Sequence, residues 1–231
     1  MSYLEPVENL IIGGGLAGLL AAWQLEKINA PYILLEAKPS LGGRILSAND
    51  DSSGHLHDLG PTWIFPHQKN IQNLLADLEL SFFDQYCNGD ILFQQQANQR
   101  IVRTTLDNKD KMYRVIGGMA TVIDSLYAKV DAKKVKLHHY VEHLSREDDV
   151  WRISAISNSV TVKFDAKNLI LALPPRMVSA HLTTNEWASP SLANDFAHTP
   201  TWMAAQAKFI ATYSTPFWRE QNLSGQAFSQ H

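Results

Sequence analysis

Short apolar runs and glycine-rich breaks alternate in the N-terminal part of the chain. The apolar run Val7–Ile12 predicts a buried strand, and apolar residues that recur at i, i+3, i+4 and i+7 from Leu16 predict a helix. A second apolar run begins at Tyr32 and predicts another strand, which ends on Glu36. Strand, glycine turn, helix and strand in this order form a βαβ unit, so the sequence predicts an α/β fold with a Rossmann-like, doubly wound sheet.

Two later segments also predict strands. Residues 89–104, GDILFQQQANQRIVRT, contain two alternating apolar and polar runs about a polar turn, which predicts a β-hairpin. The run QAKFIATY, residues 206–213, predicts a buried strand that leads into the proline–aromatic turn PFW. Lys208 lies inside this run, and the simplest explanation is an edge strand from which the lysine reaches solvent.

Composition places the chain among globular proteins of ordinary charge. Its 231 residues are 45% apolar with a formal net charge of −3, enough for one large or two small domains. Lysines and arginines are interleaved with acidic residues, so no nucleic-acid partner is expected. The longest uncharged run, Asn9–Leu25, is short for a membrane span and contains four glycines, so no membrane span is expected. The single cysteine, Cys87, excludes an intramolecular disulfide and indicates a reducing, cytoplasmic location.

A glycine motif occupies the turn between the first strand and the helix. Gly13, Gly15 and Gly18 match G-x-G-x-x-G, in which the glycines permit a tight turn, a close approach of the backbone to a pyrophosphate and close helix–strand packing. Glu36 follows Gly18 by 18 positions, near the offset of about 20 for an acid that binds a ribose hydroxyl. The motif therefore predicts a bound dinucleotide. Three neighbours of these residues are expected to contact it as well: Leu16, Ala17 and Ala37.

A second glycine pair follows the second strand. In EAKPSLGGRI, Gly42 and Gly43 precede Arg44, whose cation can lie against the pyrophosphate, and a nicotinamide site has no obvious need for it. With GGGLAG and EAKPSLGGR in this order, the chain resembles the flavin-containing amine oxidase family, the group of monoamine and polyamine oxidases. The family more often has arginine at the position of Lys38. The resemblance implies FAD as the cofactor, held non-covalently because Cys87 does not match the cysteine that tethers the flavin in some members.

Further segments resemble the family in the same order. HDLGPTWI, residues 57–64, is similar to the segment beside the isoalloxazine ring, which implies flavin contacts from Gly60, Pro61 and Thr62 and places Trp63 on the substrate side. YVEHL resembles the segment at the adenine end, with Val141 as the contact. YRVIGGMATVIDSLYAKV and NLILALPPRMV resemble the segments that return the chain to the FAD domain and close it. At Pro61 the family commonly has a second glycine.

The resemblance also implies that Lys208 is the catalytic residue. In the family, a lysine at this position points at N5 of the flavin through a water, and the spacing from Lys208 to PFWR matches. A fixed cation there would stabilise the negative charge that hydride transfer leaves on the flavin, or orient water and oxygen during reoxidation. At about 6 Å and an effective dielectric constant of about 20, the interaction is worth roughly 3 kcal/mol, about a hundredfold in rate.

The order of the segments predicts a discontinuous cofactor domain and a partial cap. Residues 1–80 and 113–180 would form the FAD-binding domain, and residues 81–112 and 181–231 a small α+β substrate cap. The resemblance implies that the chain stops before the later cap strands and the closing FAD segment of the family. We therefore expect a fragment of a longer protein or a chain that another chain completes. Exposed strand edges would favour self-association or such a complementing chain.

The functional prediction is an FAD-dependent oxidoreductase that oxidises an amine, a small-molecule substrate, to an imine with oxygen as acceptor. Two alternatives stay open: a flavoenzyme of the protoporphyrinogen oxidase or carotenoid desaturase type, and a truncated, non-catalytic flavoprotein or interaction module. Histidines such as His55 and His57 lack a third ligand at a recognisable spacing, so no metal site is predicted. Arg103 is a candidate to bind the carboxylate of an amino-acid substrate, but an arginine on a hairpin is more simply explained as solvated.

Overall fold

The chain divides into two compact units. The computed structural model describes residues 6–49, 54, 56–105, 111–201 and 206–229. The first unit contains Met1–Pro61 and Met119–Lys208, and the second contains Thr62–Gly118 and Phe209–His231. In each unit, separate stretches of sequence therefore come together.

The helices and strands of the described residues are as follows. The strands are β1 (Val7–Ile12), β2 (Tyr32–Leu35), β3 (Ser47–Asn49), β4 (Leu56–Asp58), β5 (Phe82–Asp84), β6 (Asp90–Gln94), β7 (Val102–Thr104), β8 (Tyr113–Val115), β9 (Val135–Lys136), β10 (Tyr140–Glu147), β11 (Val150–Ser157), β12 (Val160–Leu171) and β13 (Leu223–Ser229). The α-helices are α1 (Leu16–Lys27), α2 (Lys69–Asp77), α3 (Ala120–Tyr127), α4 (Pro175–His181) and α5 (Pro190–His198). Short 3-10 helices cover Ala132–Lys134, Thr184–Glu186 and Phe217–Gln221. Within this part of the chain, none of the helices combines the length and apolar character needed to cross a bilayer.

A mixed sheet in the order β10-β11-β12-β1-β2-β9 forms the centre of the first unit. β1 pairs in parallel with β12 and β2, and β2 pairs in parallel with β9, whereas β10, β11 and β12 form an antiparallel meander. In β1, which has neighbours on both edges, Leu10, Ile11 and Ile12 are at most 4% exposed. A central parallel strand is buried on both faces, which explains why its sequence is a nearly continuous apolar run.

The predicted βαβ unit is present. β1 covers the predicted residues Val7–Ile12, α1 begins at Leu16, and β2 begins at Tyr32 and ends one residue before Glu36. Leu19, Ala22 and Trp23 are buried on α1, as the helical spacing of its apolar residues requires. The α/β, Rossmann-like class of the fold is therefore confirmed.

A hydrophobic cluster attaches the meander and α4 to the parallel strands. Its buried members are Leu10, Ile12, Leu35, Val141, Leu144, Ile153, Ala155, Ala166, Val178 and Leu182. Trp151, Trp187 and Phe196 pack against this cluster, so α5 is held on it as well. Burial of these apolar side chains stabilises the first unit and keeps the sheet in place beneath the glycine turn that follows β1.

One carboxylate oxygen ties the end of α1 to the segment before β9. Oε1 of Glu26 accepts hydrogen bonds from the Tyr32 hydroxyl at 2.8 Å, the Lys134 ammonium at 2.9 Å and the Asp131 backbone N–H at 3.0 Å. The bond from Lys134, followed by the bond from the Asp131 N–H, lowers the pKa of Glu26. Burial, followed by the bond to Glu26, raises the pKa of Tyr32. The fold therefore favours a charged Glu26 and a neutral Tyr32.

The described residues of the second unit form α2 and two small sheets. One sheet has the order β13-β6-β7, in which β13 is parallel and β7 antiparallel to β6, and the other pairs β5 with β8. β6 and β7 are the two arms of the predicted hairpin, which is confirmed. Asp90 accepts hydrogen bonds from Arg103 Nε and the Thr105 hydroxyl. Arg103 therefore stabilises the hairpin, although its side chain is still 48% exposed.

Residues 206–213 do not form the predicted strand. Among the described residues no strand pairs with this segment, so its backbone lacks the ladder of hydrogen bonds that a strand needs. Its large side chains are not covered either, since Phe209 is 90% and Tyr213 is 63% exposed. The buried strand and the edge strand that would explain Lys208 are both wrong.

Candidate functional site

At two of the three motif positions in the turn between β1 and α1, the geometry of the turn itself requires glycine. Gly13 has a φ of +107°, which favours glycine, and its N–H donates to the Leu35 carbonyl oxygen at 2.8 Å. A side chain at Gly18 would overlap the Gly13 carbonyl oxygen, so glycine at this position lets α1 pack against the turn. These two glycines are therefore required by the turn itself.

Gly15 differs because the described residues leave space for a side chain beside it. An added Cβ would meet only Gly42 and Gly43 backbone atoms, at 3.9 Å, and the φ of −78° is open to any residue. Gly15 is the N-cap residue of α1, which has neither a side-chain cap nor an acidic residue in its first turn. The helix then begins with the half-buried Leu16 and the exposed Ala17. An open recess at an uncapped helix N-terminus fits a pyrophosphate, because the backbone N–H groups and the helix dipole favour negative charge there.

Glu36, which directly follows β2, forms a hydrogen bond with the glycine turn. Its carboxylate is buried, and Oε2 accepts a hydrogen bond from the Gly14 N–H at 2.6 Å while Oε1 accepts one from the Lys38 N–H at 2.9 Å. A Cβ on Gly14 would meet Leu41 Cδ2 at 2.5 Å and Glu36 Cβ at 3.0 Å, so the Leu41 side chain would have to move to admit it. Binding of a ribose by Glu36 and contact from the exposed Ala37 stay predictions.

The second glycine pair lies directly against the first glycine turn. The Gly42 N–H donates to the Gly14 carbonyl oxygen at 2.9 Å, and Gly15 and Gly42 form an isolated parallel bridge. Gly42 has a φ of +107° and Gly43 a φ of +61°, so both have backbone conformations that favour glycine. The exposed Arg44 follows at once, and its guanidinium forms no ion pair with the described residues.

Gly60 packs against the segment that contains Arg44. A side chain at Gly60 would overlap the Arg44 carbonyl oxygen, and the Gly60 N–H donates to the Leu46 carbonyl oxygen at 3.2 Å. The Gly60 carbonyl oxygen accepts a hydrogen bond of 3.0 Å from Nζ of Lys208. Although Lys208 is exposed, this hydrogen bond to a backbone carbonyl group restrains its ammonium.

A contact series connects these residues within the first unit. It runs from the Glu36 carboxylate to Gly14, from Gly14 to Gly42, along the chain to Arg44, from Arg44 to Gly60, and from Gly60 to Lys208. We call the six residues Glu36, Gly14, Gly42, Arg44, Gly60 and Lys208 the contact series. The structure thus brings together the predicted ribose acid, both glycine segments and the predicted catalytic lysine.

The remaining predicted site residues are not part of this series. Pro61 is exposed, and the next two residues belong to the second unit, where Thr62 is buried and Trp63 is 51% exposed. Val141 is 6% exposed and packs in the hydrophobic cluster. The flavin, substrate and adenine contacts expected of these residues stay predictions.

The described histidines have no metal-binding arrangement. Within the part of the chain that the structure describes, no three His, Cys, Asp or Glu side chains lie close enough to hold an ion. Nε2 of His143 instead lies 3.4 Å from Oε2 of Glu186, and Nδ1 of His139 lies 2.7 Å from the Leu137 carbonyl oxygen. His55 lies outside the described residues.

Two residues of this region have contacts that the sequence analysis did not identify. Gly14 occupies a variable position of the motif, and the run of three glycines was the only signal for it. Asp58 is 4% exposed and accepts hydrogen bonds from the Met119 N–H and the Ser47 hydroxyl. Nothing in the sequence around Asp58 indicates that these partners lie beside it.

Two family profiles together match most of the chain. A profile described as NAD(P)-binding Rossmann-like domain matches residues 11–78. A profile described as flavin containing amine oxidoreductase matches residues 79–231, which is more than half of the chain.

Three curated relatives illustrate the range of matching proteins. A probable flavin-containing monoamine oxidase A of Dictyostelium discoideum is 30% identical over 140 residues, which cover 60% of this chain and 30% of that protein. A putrescine oxidase of Kocuria rosea is 25% identical over 153 residues, 60% of this chain and 32% of that protein. A 15-cis-phytoene desaturase of an Oncidium hybrid cultivar is 36% identical over 89 residues, 38% of this chain and 15% of that protein. The match therefore spans about a third or less of the length of these relatives.

Solved structures share the fold. A triple mutant of putrescine oxidase, from a redesign of its cofactor binding, superposes with a TM-score of 0.79 at 19% identity, covering 97% of this chain and 70% of that chain. Cyclohexylamine oxidase from Brevibacterium oxydans superposes with a TM-score of 0.76 at 15% identity, with the same coverage of 97% and 70%. At these identities the likeness supports the fold alone.

Proposed function

Because the chain belongs to the family of flavin-containing amine oxidoreductases, we propose that it binds FAD through its first unit and oxidises an amine to an imine with oxygen as acceptor. FAD is the cofactor that this family implies. The observation that carries the proposal is the contact series, which joins the predicted ribose acid Glu36 to the predicted catalytic cation Lys208. In this proposal residues 81–112 and 181–231 belong to the substrate cap.

The residues around the glycine turn suit the adenosine and pyrophosphate part of FAD. The recess beside Gly15 leaves room for the phosphates at the N-terminus of α1, and the exposed Arg44 adds a positive charge beside the same turn. Glu36 keeps the turn in shape through Gly14 and would accept a hydrogen bond from a ribose hydroxyl with its remaining lone pairs. In this proposal FAD is held without a covalent bond, as the sequence analysis predicts.

Lys208 supplies the charge that the reaction needs. When bound, FAD would accept the hydride equivalent that leaves the substrate. The hydrogen bond to the Gly60 carbonyl oxygen restrains the Lys208 ammonium, so that its positive charge is in place before negative charge develops. An already oriented cation stabilises such charge without the cost of reorganisation during the reaction.

An amine is the proposed substrate because the family profile and two of the relatives described above point to amine oxidation. Those relatives are a monoamine oxidase and a putrescine oxidase. The matched desaturase keeps a second possibility open, in which the same cofactor fold removes hydrogen from a carbon chain. Lys208, whose segment resembles the lysine segment of the amine oxidases, favours the amine.

The first experiment is a test of cofactor retention. The purified chain is incubated with FAD and desalted, and its visible spectrum is recorded. We expect retained flavin bands with a structured, shifted spectrum, because the glycine turn, Glu36 and Arg44 belong to one folded unit. Complete loss of flavin from a chain that stays folded would contradict the proposal that this polypeptide binds FAD by itself.

Substrate class is tested next on the flavin-loaded protein. Putrescine, an aromatic monoamine and a polyene are added separately under anaerobic conditions, and bleaching of the flavin band is followed. Bleaching by an amine, and reoxidation when oxygen is admitted, is the expected result. Bleaching by the polyene and by neither amine would instead favour the desaturase type.

A further inference from the structure

We propose that Asp58 is a positioning residue that holds the Gly60 end of the contact series in place for the cofactor, an inference that rests on the FAD binding proposed above. The Asp58 carboxylate is 4% exposed, and Asp58 lies two residues before Gly60. A buried carboxylate is retained in a fold only where donors compensate for its lost hydration. Its partners therefore indicate what it holds.

Both donors bind the same oxygen of Asp58. Oδ1 accepts a hydrogen bond from the Met119 N–H at 2.8 Å and one from the Ser47 hydroxyl at 3.1 Å. Ser47 is the first residue of β3 and lies opposite Asp58 in the pairing of β3 with β4. Met119 is the N-cap residue of α3, and its own side chain makes no cap. One carboxylate thus joins β3, β4 and the start of α3.

The joined segments lie against two residues of the contact series, Gly60 and Gly42. The carbonyl oxygen of Leu46, which precedes Ser47, accepts hydrogen bonds from the N–H groups of Leu59 and Gly60. On α3, the Ile123 side chain lies 3.5 Å from the position of a Cβ on Gly42. A shift of β3 would therefore move Gly60, whose carbonyl group binds Lys208, through these hydrogen bonds, whereas α3 meets Gly42 only through a van der Waals contact.

Charge makes this junction specific to a carboxylate. The N-terminus of α3 has backbone N–H groups without partners within the helix, and the helix dipole favours a negative group there. Asp58 supplies that group from a distant part of the sequence. An alanine would remove the oxygen that accepts both hydrogen bonds, whereas an asparagine would keep an acceptor oxygen and lose the charge.

A comparison of FAD with ADP separates positioning from general stability. ADP carries only the adenosine and pyrophosphate, which the proposed function assigns to the Gly13–Gly18 turn, Glu36 and Arg44, whereas FAD also has a flavin half beyond the pyrophosphate. For Asp58→Ala we expect the Kd for FAD to rise about tenfold or more, and the Kd for ADP to change less than about twofold. Ser47→Ala removes one of the two donors and should shift the Kd for FAD in the same direction by less.

Asp165→Asn is the matched control. Asp165 is a carboxylate of the first unit with 19% side-chain exposure, and it pairs with Arg152 between β11 and β12, away from the contact series. We expect this variant to lose thermal stability without changing the ratio of the two dissociation constants. If Asp58→Ala fails to fold, the dissociation constants of Asp58→Asn and Ser47→Ala test the positioning role instead. If ADP binds too weakly to titrate, the visible circular dichroism of the flavin bound to these two variants tests it.

The results that would contradict the positioning role of Asp58 differ from the result that would contradict FAD binding itself. Equal weakening of FAD and ADP, or an unchanged circular dichroism of the bound flavin in both decisive variants, would overturn the positioning role and leave Asp58 as a residue of fold stability only. No change in either dissociation constant would overturn it as well. If the wild-type chain binds no FAD, the proposed function itself fails first, which is seen before any variant is measured.

Discussion

The ammonium Nζ of Lys208 donates a hydrogen bond to the backbone carbonyl oxygen of Gly60 at 3.0 Å, across 148 positions of sequence. A carbonyl oxygen stabilises the charged ammonium and limits its movement. Gly60 is itself restrained, because its N–H binds the Leu46 carbonyl oxygen and its Cα packs against the Arg44 carbonyl oxygen. The hydrogen bond therefore restrains the lysine, although its own segment, residues 206–213, forms neither strand nor helix.

Replacement of Lys208 by methionine should slow catalysis without loss of the cofactor. Methionine has a similar length but carries no charge, so the contribution of the cation to charge stabilisation disappears. We expect the rate of flavin reduction or of reoxidation to fall about a hundredfold. Stopped-flow absorbance of the flavin, first with an amine in the absence of oxygen and then with oxygen, measures the two half-reactions separately.

Lys167→Met controls for the general loss of a surface charge. Lys167 is exposed on β12 and lies outside the contact series. Its replacement should leave both half-reactions unchanged. Equal rates for wild type and Lys208→Met in both half-reactions would exclude a catalytic role for Lys208.

Alanine at Gly15 and alanine at Gly18 should have opposite effects. A Cβ on Gly15 meets nothing closer than 3.9 Å, so Gly15→Ala should fold with unchanged thermal stability in the absence of FAD. The same Cβ would occupy the recess for the pyrophosphate and should weaken FAD binding about tenfold or more. In contrast, Gly18→Ala forces a clash with the Gly13 carbonyl oxygen and should cost about 3 kcal/mol of folding free energy or more.

Thermal melts without ligand and titrations with FAD distinguish these two expectations. If Gly15→Ala melts early, the recess is a structural requirement of the turn. If Gly15→Ala binds FAD as tightly as the wild type, the pyrophosphate does not approach this backbone position.

The parts of the fold that local patterns encode were predictable from the sequence. β1, α1 and the hairpin of β6 and β7 each have an apolar period that matches their own geometry, bounded by glycine or polar residues. β1 and α1 belong to one βαβ unit and β6 and β7 to one hairpin, so each element has a neighbour that lies close in sequence, although β1 also pairs with β12 and β6 with β13. The same holds for the glycine turn, whose chemistry is contained in residues 13–18.

Contacts between distant segments were not predictable in this way. The strand pattern of residues 206–213 is as good as that of β6, yet among the described residues it has no neighbouring strand, and the backbone stays irregular. Asp58 and Gly14 gain their roles from Met119 and Glu36, which lie 61 and 22 positions away. A single sequence does not report which distant segments meet.

The pH dependence of stability should reveal the contacts of Glu26. The Lys134 ammonium, followed by the Asp131 N–H, holds the pKa of this carboxyl below its ordinary value of 4.5. A carboxyl whose pKa is lower in the folded state stabilises the fold above its unfolded pKa, and this contribution is lost as the pH falls through the folded pKa. At neutral pH we expect Glu26→Gln to lower the free energy of unfolding by about 1 kcal/mol, since the pair is only partly buried.

The deficit of Glu26→Gln should then shrink below about pH 4.5, where the carboxyl takes up its proton in the unfolded chain before it does so in the folded one. Urea unfolding of both proteins at several pH values measures the difference, and other carboxylates cancel because they are common to the two chains. Glu8→Gln, at an exposed position of β1, serves as the control and should show no comparable deficit. A deficit for Glu26→Gln that is constant from neutral to acidic pH would mean that glutamate is preferred there for its packing, because only the charge of the carboxylate depends on its protonation.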